Sequence, residues 1–144
     1  MKRVLVSVVL VAFSFLAFAQ GKVFEKDGVA INGYDAVAYF TDGKPVKGES
    51  QFQLKWNNAT WQFASKTNLE KFKSQPEKYS PQFGGFCSFG VSKGYKVKSE
   101  PDAWTIVNDK LYLNYNLQVK EDWSKDRDNL ISVAEKKWTD IKNN

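Results

Sequence analysis

The strongest restriction on the fold of this chain is an alternation on either side of Asn57-Asn58. Phe52, Leu54 and Trp56 interleave with Gln51, Gln53 and Lys55, and Trp61 and Phe63 interleave with Thr60, Gln62 and Ala64. Side chains two apart share a strand face, so each run presents one aromatic and one polar side, and the asparagine pair is a reversal signal. A hairpin of 51–56 and 59–64 follows, and its aromatic face has to be covered by something else in the chain.

The rest of the sequence offers that cover. Leu69 and Phe72 stand three apart, Thr67 and Glu70 have capping-box spacing, and Pro76 follows, which predicts a short helix over 66–74. Residues 103–107 and 110–115 flank Asn108-Asp109 and predict a second hairpin. From Leu117 the chain reads as helical, with Leu130, Val133, Ala134, Trp138 and Ile141 forming an apolar stripe. Upstream, 29–31 and 37–40 read as short strands around the turn Asn32-Gly33-Tyr34-Asp35. Strands mostly precede helices without repeated βαβ units, so the expected class is α+β: a small antiparallel sheet built from hairpins, with a short middle helix and a C-terminal helical segment packed on it. Trp56, Trp61, Trp104 and Trp138 are assigned to the core, and Trp123, among Glu121, Asp122 and Lys125, to the surface.

The first residues have a different purpose. Lys2 and Arg3 precede an apolar run to Phe18, and Ala17-Phe18-Ala19 has the small-residue pattern of a cleavage site before Gln20. This predicts a signal peptide at 1–19 and a periplasmic or secreted mature protein, since the run is shorter than the roughly 20 residues that span a bilayer. Removing 19 of the 144 residues leaves 125 for residues 20–144, the size of one domain. Losing Lys2 and Arg3 lowers the formal charge from +5 to +3, with lysines spread along the chain, so neither nucleic acid nor, after cleavage, a membrane is an expected partner.

The stretch Pro81 to Gly94 holds the chain's one cysteine, Cys87, among glycines and phenylalanines. A single thiol in an oxidising compartment is buried packing, a link to another molecule, or reactive. A short helix over 84–92 would set Cys87 near a helix N-terminus, where a thiol gains acidity, with Lys93 as a further positive charge. The chain has no histidine, and its one methionine is Met1, so Cys-His catalysis and His-based copper or zinc sites are excluded, and Cys87 is the only candidate metal ligand. Gly84-Gly85 permits either a backbone approach to a ligand or an unusual backbone angle. Asp35, with Tyr34, either contacts a ligand or holds its own turn. Acidic residues are scattered singly, with no carboxylate pair for glycoside hydrolysis.

Several segments together are similar to the exported proteins of the YHS-domain family. They are Ile31 through Phe40, Trp61-Gln62-Phe63-Ala64-Ser65, Phe72 through Tyr79, Gly84-Gly85-Phe86-Cys87, Ala103-Trp104-Thr105-Ile106-Val107 and Leu111 through Tyr115. The resemblance implies one YHS-like domain over 20–144. Broader relatives are associated with cysteine-mediated metal handling, but where metal-type relatives carry an F-C-S motif this chain reads Phe63-Ala64-Ser65. The expectation is an exported binding module, more a binder than an enzyme, for a metal species or small molecule near Cys87, Tyr34, Asp35, Gly84 and Gly85. Cofactor and ligand identity stay open. The alternatives are a non-catalytic interaction protein with a buried Cys87, a thiol-dependent redox protein, and a disulfide-linked dimer through Cys87.

Overall fold

A computed structural model describes residues 22–144; the leader expected at 1–19 lies outside the described residues. The chain enters as β1 (Glu25–Lys26), turns at Asp27-Gly28 and returns as β2 (Val29–Ala30). After a 3-10 turn at Ile31–Gly33 come α1 (Ala38–Thr41), β3 (Glu49–Trp56) and β4 (Ala59–Phe63). The aromatic hairpin forms as its alternation predicts. Leu54 pairs with Trp61 and Trp56 with Ala59, and Asn57 and Asn58 take left-handed angles of 52° and 61° in the reversal.

The sheet order is β1-β2-β4-β3, and β2 runs parallel to β4 through Val29 and Thr60. The larger sheet is therefore mixed rather than wholly antiparallel. The expected strand at 37–40 is instead the turn of helix α1, because the Asp35 carboxylate accepts from the N–H groups of Val37 and Ala38 and starts a helix where side-chain pattern alone suggested a strand.

α2 (Lys66–Ser74) matches the predicted helix, although its cap is Ser65, whose hydroxyl accepts from Asn68 N–H at 3.1 Å, not the Thr67–Glu70 pair. Pro76 opens a further turn, α3 (Pro76–Tyr79), instead of only ending α2. The expected helix over 84–92 is shorter: a 3-10 turn spans Gln82–Gly85, and α4 (Ser88–Ser92) follows. β5 (Trp104–Val107) and β6 (Lys110–Leu113) form the second, two-stranded sheet, and α5 (Leu117–Ser124) and α6 (Arg127–Ile141) end the fold. Strands and helices combine as α+β, and among the described residues no helix is long and apolar enough to cross a membrane.

Two hydrophobic cores result. In the first, Phe72 of α2 packs on the hairpin with its ring 5.0 Å from both Trp61 and Phe63 and edge-on to Trp56 at 5.6 Å. Such pairs add about 0.5–1.5 kcal/mol each beyond area burial. Val23, Ala30 and Ile31 from the start of the described chain and Leu111 and Leu113 from β6 complete this core. The second gathers Phe83, Val91, Tyr112, Trp123 and Ala134, with Leu130, Trp138 and Ile141 against them. Trp123 is thus fully buried, a correction to its expected exposure. Its ring lies 5.7 Å from Tyr112, and the 3.6-residue period of α5 turns its charged neighbours to solvent. Lys96 fastens the C-terminal end by donating from Nζ to the carbonyls of Lys142 and Asn144.

Candidate functional site

Two left-handed turns face one another near the residues singled out from the sequence. Ile31, Asn32 and Gly33 take φ of 44°, 57° and 77°, and Phe83, Gly84 and Gly85 take 55°, 62° and 84°. An L-residue costs about 1–2 kcal/mol in this region, so neither turn forms without tertiary ties. Phe24 supplies them: its N–H donates to Gly84 O at 2.8 Å, and its carbonyl accepts from Ile31 N–H at 3.0 Å. The glycine pair is required by this close approach. A Cβ on Gly84 would lie 1.7 Å from Lys22 O, and one on Gly85 2.5 Å from Ile31 Cγ2.

Cys87 sits directly after, at the N-cap of α4, with 1% of its surface exposed. Its sulfur accepts from Gly90 N–H at 3.4 Å, and its thiol donates to Asn114 Oδ1 at 3.6 Å, an oxygen that also accepts from Phe89 N–H at 3.0 Å. The expected place at a helix start is found, yet the acidity moves the other way. Burial pushes the thiol pKa up from 9.0, outweighing the backbone hydrogen bonds that favour the thiolate. Lys93 lies over the Phe89 ring at 5.3 Å and does not contribute to the thiol's acidity. A disulfide to a second molecule would need this segment to open.

The unfolded thiol ionises near 9.0 and the folded one higher, so its contribution to stability is present below pH 9 and is lost as pH rises through the folded value. Buried Tyr39, whose hydroxyl donates to Pro101 O at 2.9 Å and is raised above 10.0 mainly by burial, adds a second loss above pH 10. Melting temperature should therefore fall from about pH 9 upward, and Cys87→Ala should flatten the first part of that fall. The native thiol should also resist a chromogenic thiol reagent that modifies it at once in denaturant.

Asp35 is fully buried and fully engaged. Oδ1 accepts from Val37 and Ala38 N–H at 2.9 and 3.1 Å, and Oδ2 accepts from Ala64 N–H at 2.9 Å and Asn68 Nδ2 at 2.8 Å. One carboxylate thereby joins the starts of α1 and α2 to the end of β4. Its four acceptor sites are all used, leaving none directed at a ligand.

Tyr34 lies elsewhere, on the wall of a cleft of about 890 Å³ between the β1–β2 hairpin, the turn at 31–33 and the segment 98–101. Tyr34 bridges to Lys47 across the backbone, and Lys47 Nζ stands 5.6 Å from the Tyr34 ring centroid. Asn32 Nδ2 donates to Ser99 O at 3.1 Å and ties the turn to the far segment. Lys98 and Glu100 pair at 3.5 Å, with Lys98 Nζ 4.8 Å above the Tyr115 ring. Cys87, Asp35 and Gly85 do not line this cleft, and Gly84 lines a smaller cavity of about 260 Å³ beside Trp56, Trp61 and Trp138. The structure thus separates the residues grouped from the sequence. It also adds Lys47, Lys98 and Glu100, which no local pattern marked because the cleft is assembled from distant segments.

A soft metal ion does not fit these residues. Cys87 is a buried, protonation-favouring thiol whose near partners are a side-chain amide and backbone groups, and among the described residues no three His, Cys, Asp or Glu side chains come together. Ala64, in the run Phe63-Ala64-Ser65, has no side-chain ligand atom, and its backbone N–H is spent on Asp35.

No curated protein and no solved structure matches the chain. The model of the YHS domain matches residues 37–83, from just after Asp35 to the first residue of the second left-handed turn and short of Cys87, so a YHS domain is found at 37–83 within a larger α+β fold.

Proposed function

We propose that this protein is an exported small-molecule binding module whose ligand site is the Tyr34 cleft, with Cys87 serving the packing of the fold. The observation that carries the reading is the cleft itself: about 890 Å³, with an aromatic wall and several charged groups on its rim. Ligand sites in proteins commonly occupy about 300–1,000 Å³ with a few placed polar groups. Export is supported by the positive start, apolar run and Ala17-Phe18-Ala19 of the leader. The burial and raised pKa of Cys87 weigh against a redox thiol as the working group.

Screening a fragment library by NMR on the isotope-labelled mature protein tests this. Hits should perturb the amides of Asn32, Tyr34, Lys47 and Gln62, and Tyr34→Ala should weaken them about tenfold or more by removing the stacking wall. Cys87→Ala should leave them unchanged. Hits that cluster at Cys87 instead, or a library without any hit in the cleft, would defeat the proposal.

A further inference from the structure

The charges around the Tyr34 cleft define the kind of ligand it can take. Lys26, Lys47 and Lys98 line it together with Glu25, Asp27 and Glu100, so the cleft carries no net charge and is not built for a polyanion such as a nucleotide. Of these six groups only Lys98 and Glu100 form an ion pair among the described residues. Among the described residues, Lys47 stands over the Tyr34 ring with no carboxylate within ion-pair distance, and on the β1–β2 hairpin Glu25, Asp27 and Lys26 form no ion pair. A cleft with the unpaired ammonium of Lys47 on one segment, two unpaired carboxylates that outnumber the unpaired Lys26 on another, and aromatic side chains from Phe24 and Tyr34 is complementary to a ligand that carries both signs of charge at its ends and an apolar body between them.

We infer that the cleft binds zwitterionic ligands of the amino-acid or short-peptide class, with the ligand carboxylate on Lys47, its ammonium toward Glu25 and Asp27, and a side chain against Tyr34. The inference rests on the cleft being a ligand site at all, and it narrows that reading to one chemistry. Charge complementarity of this kind also excludes competitors, since a ligand lacking one charge leaves a protein group desolvated without a partner.

The experiment titrates the mature protein with the dipeptide Ala-Phe in three forms: the free zwitterion, the C-terminal amide and the N-acetyl derivative. Chemical-shift changes at Tyr34, Lys47 and Asp27 give the affinities. The free dipeptide should bind in the cleft, and blocking either end should weaken it by about tenfold or more. Lys47→Met should weaken the free dipeptide and leave the amide unaffected, and Asp27→Asn with Glu25→Gln should do the same for the free and acetylated forms. These side chains are exposed, so the variants keep the fold. Equal binding of all three forms, equal loss of free and amidated dipeptide in Lys47→Met, binding away from the cleft, or no binding at millimolar peptide would each overturn the inference. If fragments occupy the cleft while the dipeptide does not, the site stands and only its ligand class falls; if neither binds there, both fall.

Discussion

Replacing Asp35 by alanine is expected to cost about 3–5 kcal/mol, enough to lower the melting temperature by more than about 10 °C or to prevent folding. The change strands four donors at once. Val37, Ala38 and Ala64 lose the acceptor for their N–H groups, and Asn68 loses the partner of its side-chain amide. Hydrogen bonds to a charged acceptor are worth about 1.5–3 kcal/mol each, and a buried donor left unpaired costs about 1–3, though losses in one network do not add in full. Asp35→Asn should rescue only in part, because its single oxygen can serve Val37 and Ala38 while its amide nitrogen would face the donors of Ala64 and Asn68. Asn68→Ala removes one donor and leaves the other three bonds in place, so about 1–2 kcal/mol is expected. Urea unfolding of the three variants orders them directly. A loss for Asp35→Ala no larger than that for Asn68→Ala would show that the carboxylate does not join the three elements.

Gly84→Ala is the second substitution with a large expected effect, and its mechanism is steric. The new Cβ would sit 1.7 Å from Lys22 O and 2.7 Å from Lys22 C, which are backbone atoms with no rotamer to change, at a φ of 62° that already disfavours a side chain. Either the turn at 82–85 or the segment 22–24 must shift, and the second is held by fewer ties. We expect a loss of about 3 kcal/mol or more, with the Phe24–Gly84 hydrogen bond broken. Hydrogen exchange locates the damage. The Phe24 and Ile31 amides should exchange quickly, whereas Trp61 in the β3–β4 hairpin should stay protected. Because β1 and Phe24 line the Tyr34 cleft, the same variant should lose ligand binding there while Cys87 stays resistant to thiol reagents. An unchanged melting temperature would show that the Lys22 backbone does not lie this close to Gly84.

What was legible in the sequence was what depends on neighbours along the chain. The β3–β4 hairpin, α2 and the β5–β6 hairpin follow from alternation, a three-residue spacing and turn-forming pairs. The parallel junction of β2 and β4 was not legible, because it joins strands separated by α1 and β3. The helix at 38–41 was missed because Val37, Tyr39 and Phe40 suit a strand, and only the capping by Asp35 decides against one. The charged neighbours of Trp123 suggest a surface position, although neighbours along a helix point in different directions. For Cys87 the place at a helix start was readable, but the direction of its pKa was not. Burial against residues as remote as Asn114 outweighs the local electrostatics. The candidate site divides the same way: Tyr34 was named from its turn, while Lys47, Lys98 and Glu100 join it only through the tertiary fold.

The double tie of Phe24 also has a mechanical meaning. Tension on the chain just ahead of residue 22 is borne first by the buried Val23 side chain and the two hydrogen bonds that Phe24 makes with Gly84 and Ile31, ahead of the aromatic hairpin. A force too weak to unfold the aromatic hairpin would thus strip β1 from the sheet edge and open the cleft. Anything that pulls on the chain just upstream, a tether or a carrier held at its beginning, acts on this strap before it acts on the body of the protein.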